Sequence, residues 1–516
     1  MTDLRKQELL DKIENLTQEN AFLKATIKGL QKKVFGPRTE RRPNSESMMP
    51  SLFNEAEVEA DPKAKEPELE TTVKEHKRKK KSQTTLKGLL ESLPEDCIEN
   101  IDIDLDENHK VCDVCGHELH PLGKFLVNTQ VEIIPARLIC KRYYQVSYEC
   151  RECRKDGQSH IVKPVMPKPP IPHSFASPSA VAHVMMQKYG LAMPLNRQER
   201  EWKQLGMPLS RATLANWIII ASKEYLVPLC DYMRTILLKE PCLHADETPV
   251  QVLNENGRKN TSKSYMWVFT SGQFDSLHNI RLFQYSPTRK GDNAENFLKG
   301  FTGYLHTDDY SGYNHVDGVT RCLCWAHARR KFVEVQTAGS DQLSTSLAAR
   351  AIEFIGALFK IEGELGELTQ EERKARRLED EVPILEKYWQ WAEKSRDKVL
   401  PKSKISKALN YSLTNKSMLE GYLKDGRCAI SNNVAENSIR PFTVGRKNWL
   451  FSASPKGAAA SACVYSIVET CKANGIDPEK YLIYIFTHMP NEERLKDEAV
   501  LDRYMPWNPA IQTVCK

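Results

Sequence analysis

No long uninterrupted run of apolar residues occurs in this sequence. A bilayer-spanning helix needs about 18 or more consecutive apolar residues, and none of the 516 positions begins such a stretch. The first residues, MTDLRKQELLDKIENL, carry charges where a signal peptide would be apolar. These absences argue against a membrane-spanning helix and a signal peptide, and we expect a cytoplasmic protein.

A strong excess of either charge is also missing. Lys and Arg total 74 against 68 Asp and Glu, which leaves a net charge of +6. A charge balance this close to even is only a mild indication of an anionic partner. Local clusters of positive charge are therefore needed to predict where nucleic acid would bind. The length exceeds what one hydrophobic core can organise, so a multidomain chain is expected.

The amino-terminal segment has a heptad pattern. Leucine occupies one seam position, and mostly β-branched residues occupy the other, an arrangement that favours a parallel two-stranded coiled coil. The seam consists of Leu9, Ile13, Leu16, Asn20, Leu23, Ile27, Leu30 and Val34. Asn20 can pair with its symmetry mate and fix the register, so these residues predict a homodimer or a higher oligomer. The alternative is an amphipathic helix packed on its own domain.

A charged segment follows at residues 37–85. It is poor in aromatic residues and ends near the basic run KEHKRKKK, which is typical of a flexible linker. The basic run either contacts DNA phosphates or is a solvated tail.

Two CxxC pairs are present among the fourteen cysteines. In a reducing compartment such pairs are better explained as metal ligands than as disulfides. The spacing suits a tetrahedral, closed and therefore structural Zn²⁺ site. Its predicted ligands are Cys112, Cys115, Cys150 and Cys153. There are two alternatives. His117 or Cys140 replaces one of these ligands, or the two cysteine pairs bind no metal.

A helix-turn-helix pattern occupies LNRQEREWKQLGMPLSRATLANWIIIAS. Gly206 lies in the turn, and Ser210 is placed to cap the second helix. Arg211 and Thr213 then lie near that helix start, where they would meet phosphates or bases. A purely structural helical hairpin is the alternative.

Three acidic residues follow in an ordered set of predicted elements. PCLHADETPVQVL predicts a strand with Asp246 near its end, SYMWVFTSG and NIRLFQYSP complete an antiparallel meander, and GYLHTDDYSGYN predicts a strand that ends in Asp308. ISNNVAENSIRPFTVGRKNWLF predicts a helix that carries Glu436 and is capped by Ser431 or Asn432. The order strand Asp, strand Asp, helix Glu is typical of the ribonuclease-H-like fold.

Such carboxylates hold two Mg²⁺ or Mn²⁺ ions about 3.5 to 4 Å apart for in-line displacement at phosphorus. One ion would activate water or a DNA 3′-hydroxyl, and the other would stabilise the leaving oxygen. Nearby basic side chains are predicted DNA contacts, with ordinary surface cations as the alternative. They are Arg329, Arg330, Arg440, Arg446 and Lys447. We interpret His327 and Trp325 as packing residues, with proton transfer or DNA contact by His327 as the alternative, and Cys322 and Cys324 as buried thiols, with metal binding as the alternative.

The separation between Asp308 and Glu436 is 436 − 308 = 128 residues, too long for a simple connection. Helical periodicity within residues 336–425 predicts an all-helical insertion there.

Several of these motifs resemble one family. HADET, TDDYSGY, CWAHARRKF and SNNVAENSIRPFTVGRKNWLF closely resemble TnpC transposases of the insertion sequence sixty-six family, as do VFGPRTERR, the cysteine pairs and MPWNP. The likeness covers almost the whole chain. It implies a DDE triad at Asp246, Asp308 and Glu436 that acts on terminal inverted repeats of its own element. Asp309 departs from the small residue expected there, although Asp308 keeps the better alignment.

The resemblance also implies partners. These are double-stranded DNA, as terminal inverted repeats and target, and companion proteins encoded by the same element. We expect a bacterial cytoplasmic protein that is nucleoid-associated when on DNA. Two other classes stay open: a dimeric zinc-containing DNA-binding regulator, and a ribonuclease-H-like nuclease that cuts without joining.

The predicted fold class is therefore multidomain α+β and α/β, with a ribonuclease-H-like catalytic domain and a helical insertion. The predicted order is a coiled coil (1–36), a charged linker (37–85), a zinc-binding β domain (86–165), a helix-turn-helix-like helical region (166–235), the first catalytic part (236–335), the insertion (336–425), the second catalytic part (426–475) and a C-terminal region (476–516).

Overall fold

The computed structural model describes residues 137–149, 161–337 and 341–516. The predicted coiled coil, the charged linker and the two cysteine pairs lie outside the described residues. Cys140, one alternative zinc ligand, is described and exposed. The described part has a mixed α/β architecture, and it contains no helix long and apolar enough to cross a membrane.

A short hairpin and a group of helices come first. Strands β1 (Tyr148–Glu149) and β2 (Ile161–Val162) pair antiparallel. The helices are α1 (Pro178–Tyr189), α2 (Leu195–Gln204), α3 (Arg211–Ala221) and α4 (Val227–Leu237), with a π-helical turn at Ser222–Leu226 before α4. Gly206 joins α2 to α3 with a φ of +89°, a conformation that glycine adopts without steric cost. The Ser210 side chain accepts the Thr213 amide, so the predicted cap is confirmed.

A mixed sheet forms the centre of the described structure. Its strands are β3 (Cys242–Val252), β4 (Lys263–Ser271), β5 (Arg281–Ser286), β6 (Tyr304–Thr307), β7 (Thr320–Leu323) and β8 (Phe451–Ser452). The order is β5-β4-β3-β6-β7, and β8 pairs with the far end of β3. Strands β3 to β5 form the predicted antiparallel meander, whereas β6 and β7 run parallel to β3.

Strand β3 is longer than the sequence pattern predicts. Asp246 lies at its middle, because the hairpin with β4 keeps residues 243–251 paired well beyond the acidic residue. The parallel ladder with β6, however, ends at His244. The prediction that Asp246 lies near a strand end is therefore wrong for β3 itself, although Asp246 does lie just past the end of the parallel pairing.

One helix connects β5 to β6, and a series of helices follows β7. They are α5 (Asp292–Leu298), α6 (Trp325–Thr337), α7 (Gln342–Glu362), α8 (Gln370–Arg376), α9 (Val382–Arg396), α10 (Lys404–Thr414) and α11 (Lys416–Leu419). Helices α6, α7, α9, α10 and α11 share a second apolar cluster, distinct from the main one, that includes Trp325, Tyr388 and Trp389. The backbone N–H of Trp325 donates to the carbonyl of Ile430 at 3.1 Å, so the chain returns from this excursion close to where it left.

The chain ends with helices α12 (Asn433–Trp449), α13 (Pro455–Ala473), α14 (Pro478–His488), α15 (Glu498–Asp502) and α16 (Pro509–Val514). Helix α12 packs across β3 and β4, and the mostly buried α13 packs on β5. Side-chain hydroxyls of α13 also bond the β5 edge, since Ser466 Oγ accepts the Phe283 amide at 2.7 Å and Thr470 Oγ1 accepts the Arg281 amide at 3.0 Å. These contacts hold the sheet between its helices.

Candidate active site

The pairing of β3 with β6 brings two acidic residues side by side. His244 is opposite His306 in the parallel register, and their rings stack with centroids 4.5 Å apart. Asp246 and Asp308 each follow two residues later, so both lie on the same face of neighbouring strands, whose axes are about 4.8 Å apart. The sheet thus sets two carboxylates next to each other at the end of the parallel ladder.

The third acidic residue comes from the first turn of α12. Asn432, immediately before this helix, is almost fully buried, and its side-chain amide donates to the carbonyl of Ala245 at 2.9 Å. Its Oδ1 lies 3.0 Å from Nδ1 of His244. Asn432 occupies the N-cap position without capping the helix, so the predicted side-chain cap is wrong. It instead ties the start of α12 to β3, one residue before Asp246.

Local hydrogen bonds separate the roles of Asp308 and Asp309. Oδ1 of Asp308 accepts the amide of Tyr310 at 2.9 Å, and the Asp308 carbonyl accepts an Arg321 nitrogen at 2.8 Å. Asp309 is exposed, and its carboxylate accepts from Asn415 at 3.3 Å. The electrostatic neighbours of Asp246 include Asp308 and Glu436. The geometry therefore favours Asp308 over Asp309 as the partner of Asp246.

Negative charge is concentrated at this site. Burial, followed by the neighbouring Glu247 carboxylate, raises the pKa of Asp246 to about 8, and Asp308 and Glu436 act in the same direction. Oε1 of Glu436 is buried and has no hydrogen-bond partner among the described residues. Bound cations would relieve both features, and a set of carboxylate oxygens is the donor chemistry that suits Mg²⁺ or Mn²⁺. The residues present thus fit such ions.

Glu436 is turned toward helix α6. Its Oε1 lies 3.6 Å from Nδ1 of His327, and its Oε2 lies 3.5 Å from the Arg330 guanidinium. Among the described residues, Glu436 shares a 4.8 Å set of ligand atoms with Cys324 and His327, and not with the two aspartates. Shared cation binding therefore requires the Glu436 side chain to rotate toward Asp246 and Asp308.

His327 is a residue that the sequence interpretation assigned to packing. Burial lowers its pKa, and the Glu436 carboxylate opposes that shift. No local signal identifies this contact, because α6 and α12 are separated by the whole insertion. Trp325, by contrast, is fully buried as expected, and its indole N–H donates to the Leu419 carbonyl at 2.8 Å. Cys322 and Cys324 are buried thiols, as predicted.

Glu247 is an acidic residue that the sequence interpretation passed over. Its side chain is 1% exposed and accepts from Arg289 at 2.5 Å and from the Tyr313 hydroxyl at 2.6 Å. The Arg289 guanidinium also lies 3.9 Å from the Tyr310 ring centroid. Successive residues of a strand point to opposite faces of the sheet. This alternation is the one sequence signal that predicts different surroundings for Glu247 and Asp246. Both carboxylate oxygens of Glu247 are occupied, one by Arg289 and the other by the Tyr313 hydroxyl.

The predicted DNA contacts divide into exposed and anchored side chains. The exposed ones are Arg211, Arg329, Arg330, Arg440 and Lys447. Arg446 is half-buried and donates to Thr248 Oγ1 at 2.9 Å and to the Pro249 carbonyl, so it fastens α12 to β3. Thr213 is half-buried, with its hydroxyl 3.0 Å from that of Ser210.

Family models match successive parts of the chain. Residues 173–460 match a model described as the transposase IS66 family. Residues 109–154, which contain all four cysteines of the CxxC pairs, match the zinc-finger binding domain of transposase IS66. Residues 466–507 match the IS66 C-terminal element, and residues 22–98 match a model described as transposase C of IS166 homeodomain.

Relatives of similar length also match. The uncharacterized protein y4hP of Sinorhizobium fredii (strain NBRC 101917 / NGR234) is 29% identical over 415 residues, which cover 77% of this chain and 73% of the relative. The uncharacterized protein y4jD of the same organism is 24% identical over 520 residues, which cover 98% of each chain.

Proposed function

The chain belongs to the transposase IS66 family, and we propose that it cleaves and joins DNA by phosphoryl transfer at Asp246, Asp308 and Glu436. One observation carries this proposal: the β3–β6 register sets Asp246 beside Asp308, while Asn432 ties the helix that bears Glu436 to the same strand. A single constellation of three carboxylates can thus form from segments far apart in the sequence.

The sheet supports a ribonuclease-H-like assignment of the catalytic domain. Three antiparallel strands are followed by two parallel ones, Asp246 lies on central strand β3, Asp308 directly follows the neighbouring strand β6, and a helix anchored to β3 carries a glutamate. This arrangement is the one that the order strand Asp, strand Asp, helix Glu requires. The helices between β7 and α12 are then an insertion into this domain.

The acidic and the basic residues of the site have different proposed roles. Asp246, Asp308 and Glu436 would hold two Mg²⁺ or Mn²⁺ ions, which supply Lewis-acid activation of the nucleophile and stabilisation of the leaving oxygen. The exposed Arg329, Arg330, Arg440 and Lys447 would bind the phosphates of the incoming strand. Rotation of Glu436 away from His327 and Arg330 would leave Arg330 free to contact DNA.

The proposed substrates are the terminal inverted repeats of the element and its target DNA. Arg211 and Thr213, at the start of α3, would contact one of these duplexes. Zn²⁺ held by Cys112, Cys115, Cys150 and Cys153 would give the amino-terminal region a structural centre, as the zinc-finger match suggests. The heptad seam from Leu9 to Leu30 would join two copies so that both element ends are held together.

Two adjacent aspartates provide a matched test. The purified chain is incubated with Mn²⁺ and labelled DNA that carries the terminal repeats, and nicked and joined products are resolved on denaturing gels. Asp308→Asn should lower cleavage by at least about a hundred-fold, because metal-held charge stabilisation contributes several kcal/mol. Asp309→Asn, the control, should retain cleavage within a few-fold.

The products separate the competing functions. Joined strands from the wild-type chain support a transposase, whereas cut strands without any joining would indicate a nuclease. Binding without chemistry in the presence of the companion proteins would indicate a regulator. Equal loss of cleavage in both aspartate variants, or full cleavage by Asp308→Asn, would contradict the assigned site.

A further inference from the structure

A second cluster of ligand-type side chains lies in the core beneath the carboxylates. Cys242 begins β3, His306 lies on β6, and Cys428 lies in the loop that leads to α12. All three are buried, and their ligand atoms lie within 4.8 Å of one another. The Sγ atoms of Cys242 and Cys428 are 3.7 Å apart, although 186 residues separate them in the chain.

A further thiol lies next to this set. Cys322 on β7 is directly opposite His306 in the parallel register, and its thiol interacts with that of Cys428. Gly421 permits the close approach of the insertion here, because a Cβ at that position would lie 2.8 Å from Cys322 Sγ. Three neighbouring strands and the loop that returns from the insertion therefore contribute sulfur or nitrogen atoms to one place.

We propose that Cys242, His306 and Cys428 bind a structural Zn²⁺ ion, with Cys322 as the fourth ligand after a rotation of its side chain. Tetrahedral zinc with Zn–S bonds of about 2.3 Å separates two sulfurs by about 3.8 Å. The Cys242–Cys428 separation of 3.7 Å fits that edge and is far longer than a disulfide of about 2.05 Å. Thiolate and imidazole donors select zinc over Mg²⁺.

The imidazole of His306 provides independent support. His306 is 1% exposed, and its Nε2 is buried without a hydrogen-bond partner among the described residues. A buried polar nitrogen left without a partner is destabilising, and coordination would satisfy it. Another pair of contacting thiols, Cys230 and Cys463 at 3.3 Å, belongs to no such set of ligand atoms in the described part of the chain.

The cluster lies where an ion would connect the two ends of the insertion to the central sheet. Cys322 is near the point where the chain leaves the sheet for the insertion, and Cys428 is near the point where it returns. Four residues after Cys428 comes Asn432, which immediately precedes the helix that carries Glu436. His306, in turn, lies two residues before Asp308, or about 7 Å along the strand. A closed zinc site here would fix the return of the chain and thereby the distance between the carboxylates.

Metal content of the full-length chain tests the proposal. Protein purified from zinc-supplemented cells is analysed for zinc per chain by inductively coupled plasma mass spectrometry. Cys428→Ser should lose about one zinc relative to the wild type, and Cys463→Ser, which removes a buried thiol from the other contacting pair, should lose none. Equal zinc content in all three proteins overturns the proposal, whatever the cysteine pairs outside this cluster bind.

A measurement on the wild type covers the case in which Cys428→Ser fails to fold. Anomalous diffraction collected on both sides of the zinc absorption edge should show a peak enclosed by Cys242, His306 and Cys428. Absence of that peak from well-ordered density, or an Sγ–Sγ separation of about 2.05 Å, overturns the proposal.

Discussion

Asp246 and Glu247 are adjacent in the chain, but their carboxylates have opposite surroundings. Glu247 pairs with Arg289 and accepts a hydrogen bond from the Tyr313 hydroxyl, whereas Asp246 has Asp308 and Glu436 as electrostatic neighbours and accepts one backbone amide. Glu247 therefore completes an ion pair with a partly exposed arginine, and Asp246 adds to a surplus of negative charge. The alternation of a strand produces this difference.

Removal of the Glu247 charge should reduce stability. Glu247→Gln leaves Arg289 without its partner, and because Arg289 is 41% exposed we expect a loss of about 1 to 3 kcal/mol in the free energy of unfolding. Urea titration followed by circular dichroism measures it. Glu224→Gln, which removes an exposed partner of Lys223, is the control and should change stability by no more than about 0.5 kcal/mol. Equal effects would contradict the assigned role of Glu247.

Removal of the Asp246 charge should not reduce stability in the absence of metal, but it should reduce the stabilisation that divalent ions provide. Without divalent ions, Asp246→Asn removes repulsion and should be at least as stable as the wild type. With Mn²⁺ at about a hundred times its dissociation constant, the wild type should gain about 2.7 kcal/mol, and the variant much less. Differential scanning calorimetry with and without Mn²⁺ distinguishes the two proteins. The same gain in both would argue against metal binding by Asp246.

At the scale of elements, α12 is the part that must be positioned most accurately. Asn432 bonds it to β3 at one end, and Arg446 bonds it to Thr248 and Pro249 further along. These contacts fix both the position of the helix and its rotation about its own axis. Glu436 lies in the first turn, between the two anchors.

Loss of the first anchor should affect catalysis more than DNA binding. Asn432→Ala removes the bonds to Ala245 and His244, so we expect a loss of about 1 to 3 kcal/mol in stability and at least about a tenfold lower cleavage rate. Asn433→Ala, at the exposed next position, is the control. Cleavage and filter-binding assays at equal protein concentration give the comparison. A parallel loss of DNA binding would indicate a general folding defect instead.

The same elements show how far the sequence alone determines the site. Periodicity and turn residues predicted the meander, the strand before Asp308 and the helix of Glu436, because these patterns are local. The ends were less accurate, and β3 continues past Asp246 because its hairpin partner extends the pairing. Contacts such as Asn432 with Ala245, or His327 with Glu436, depend on the meeting of segments more than a hundred residues apart. No local pattern encodes them.

At the scale of the whole described chain, the buried apolar residues form two clusters. The main cluster lies between the central sheet and its helices, and the other lies mostly within the insertion and extends to Trp325 of α6 and Leu323 of β7. The Glu362–Arg377 ion pair is buried beside the second cluster, with Arg377 fully enclosed. The insertion thus has its own interior and still shares residues with the sheet at its base.

The hydrogen bond between Trp325 and Ile430 has a consequence for how such chains diversify. Because the intervening segment leaves the sheet after β7 and returns to the same point before α12, its length can change without moving the strands that position the aspartates. Closing a longer excursion costs little, about 0.6 kcal/mol for each doubling of its length. Evolution can therefore enlarge, shorten or replace this segment while the chemistry stays where it is, and a protein engineer can graft there for the same reason.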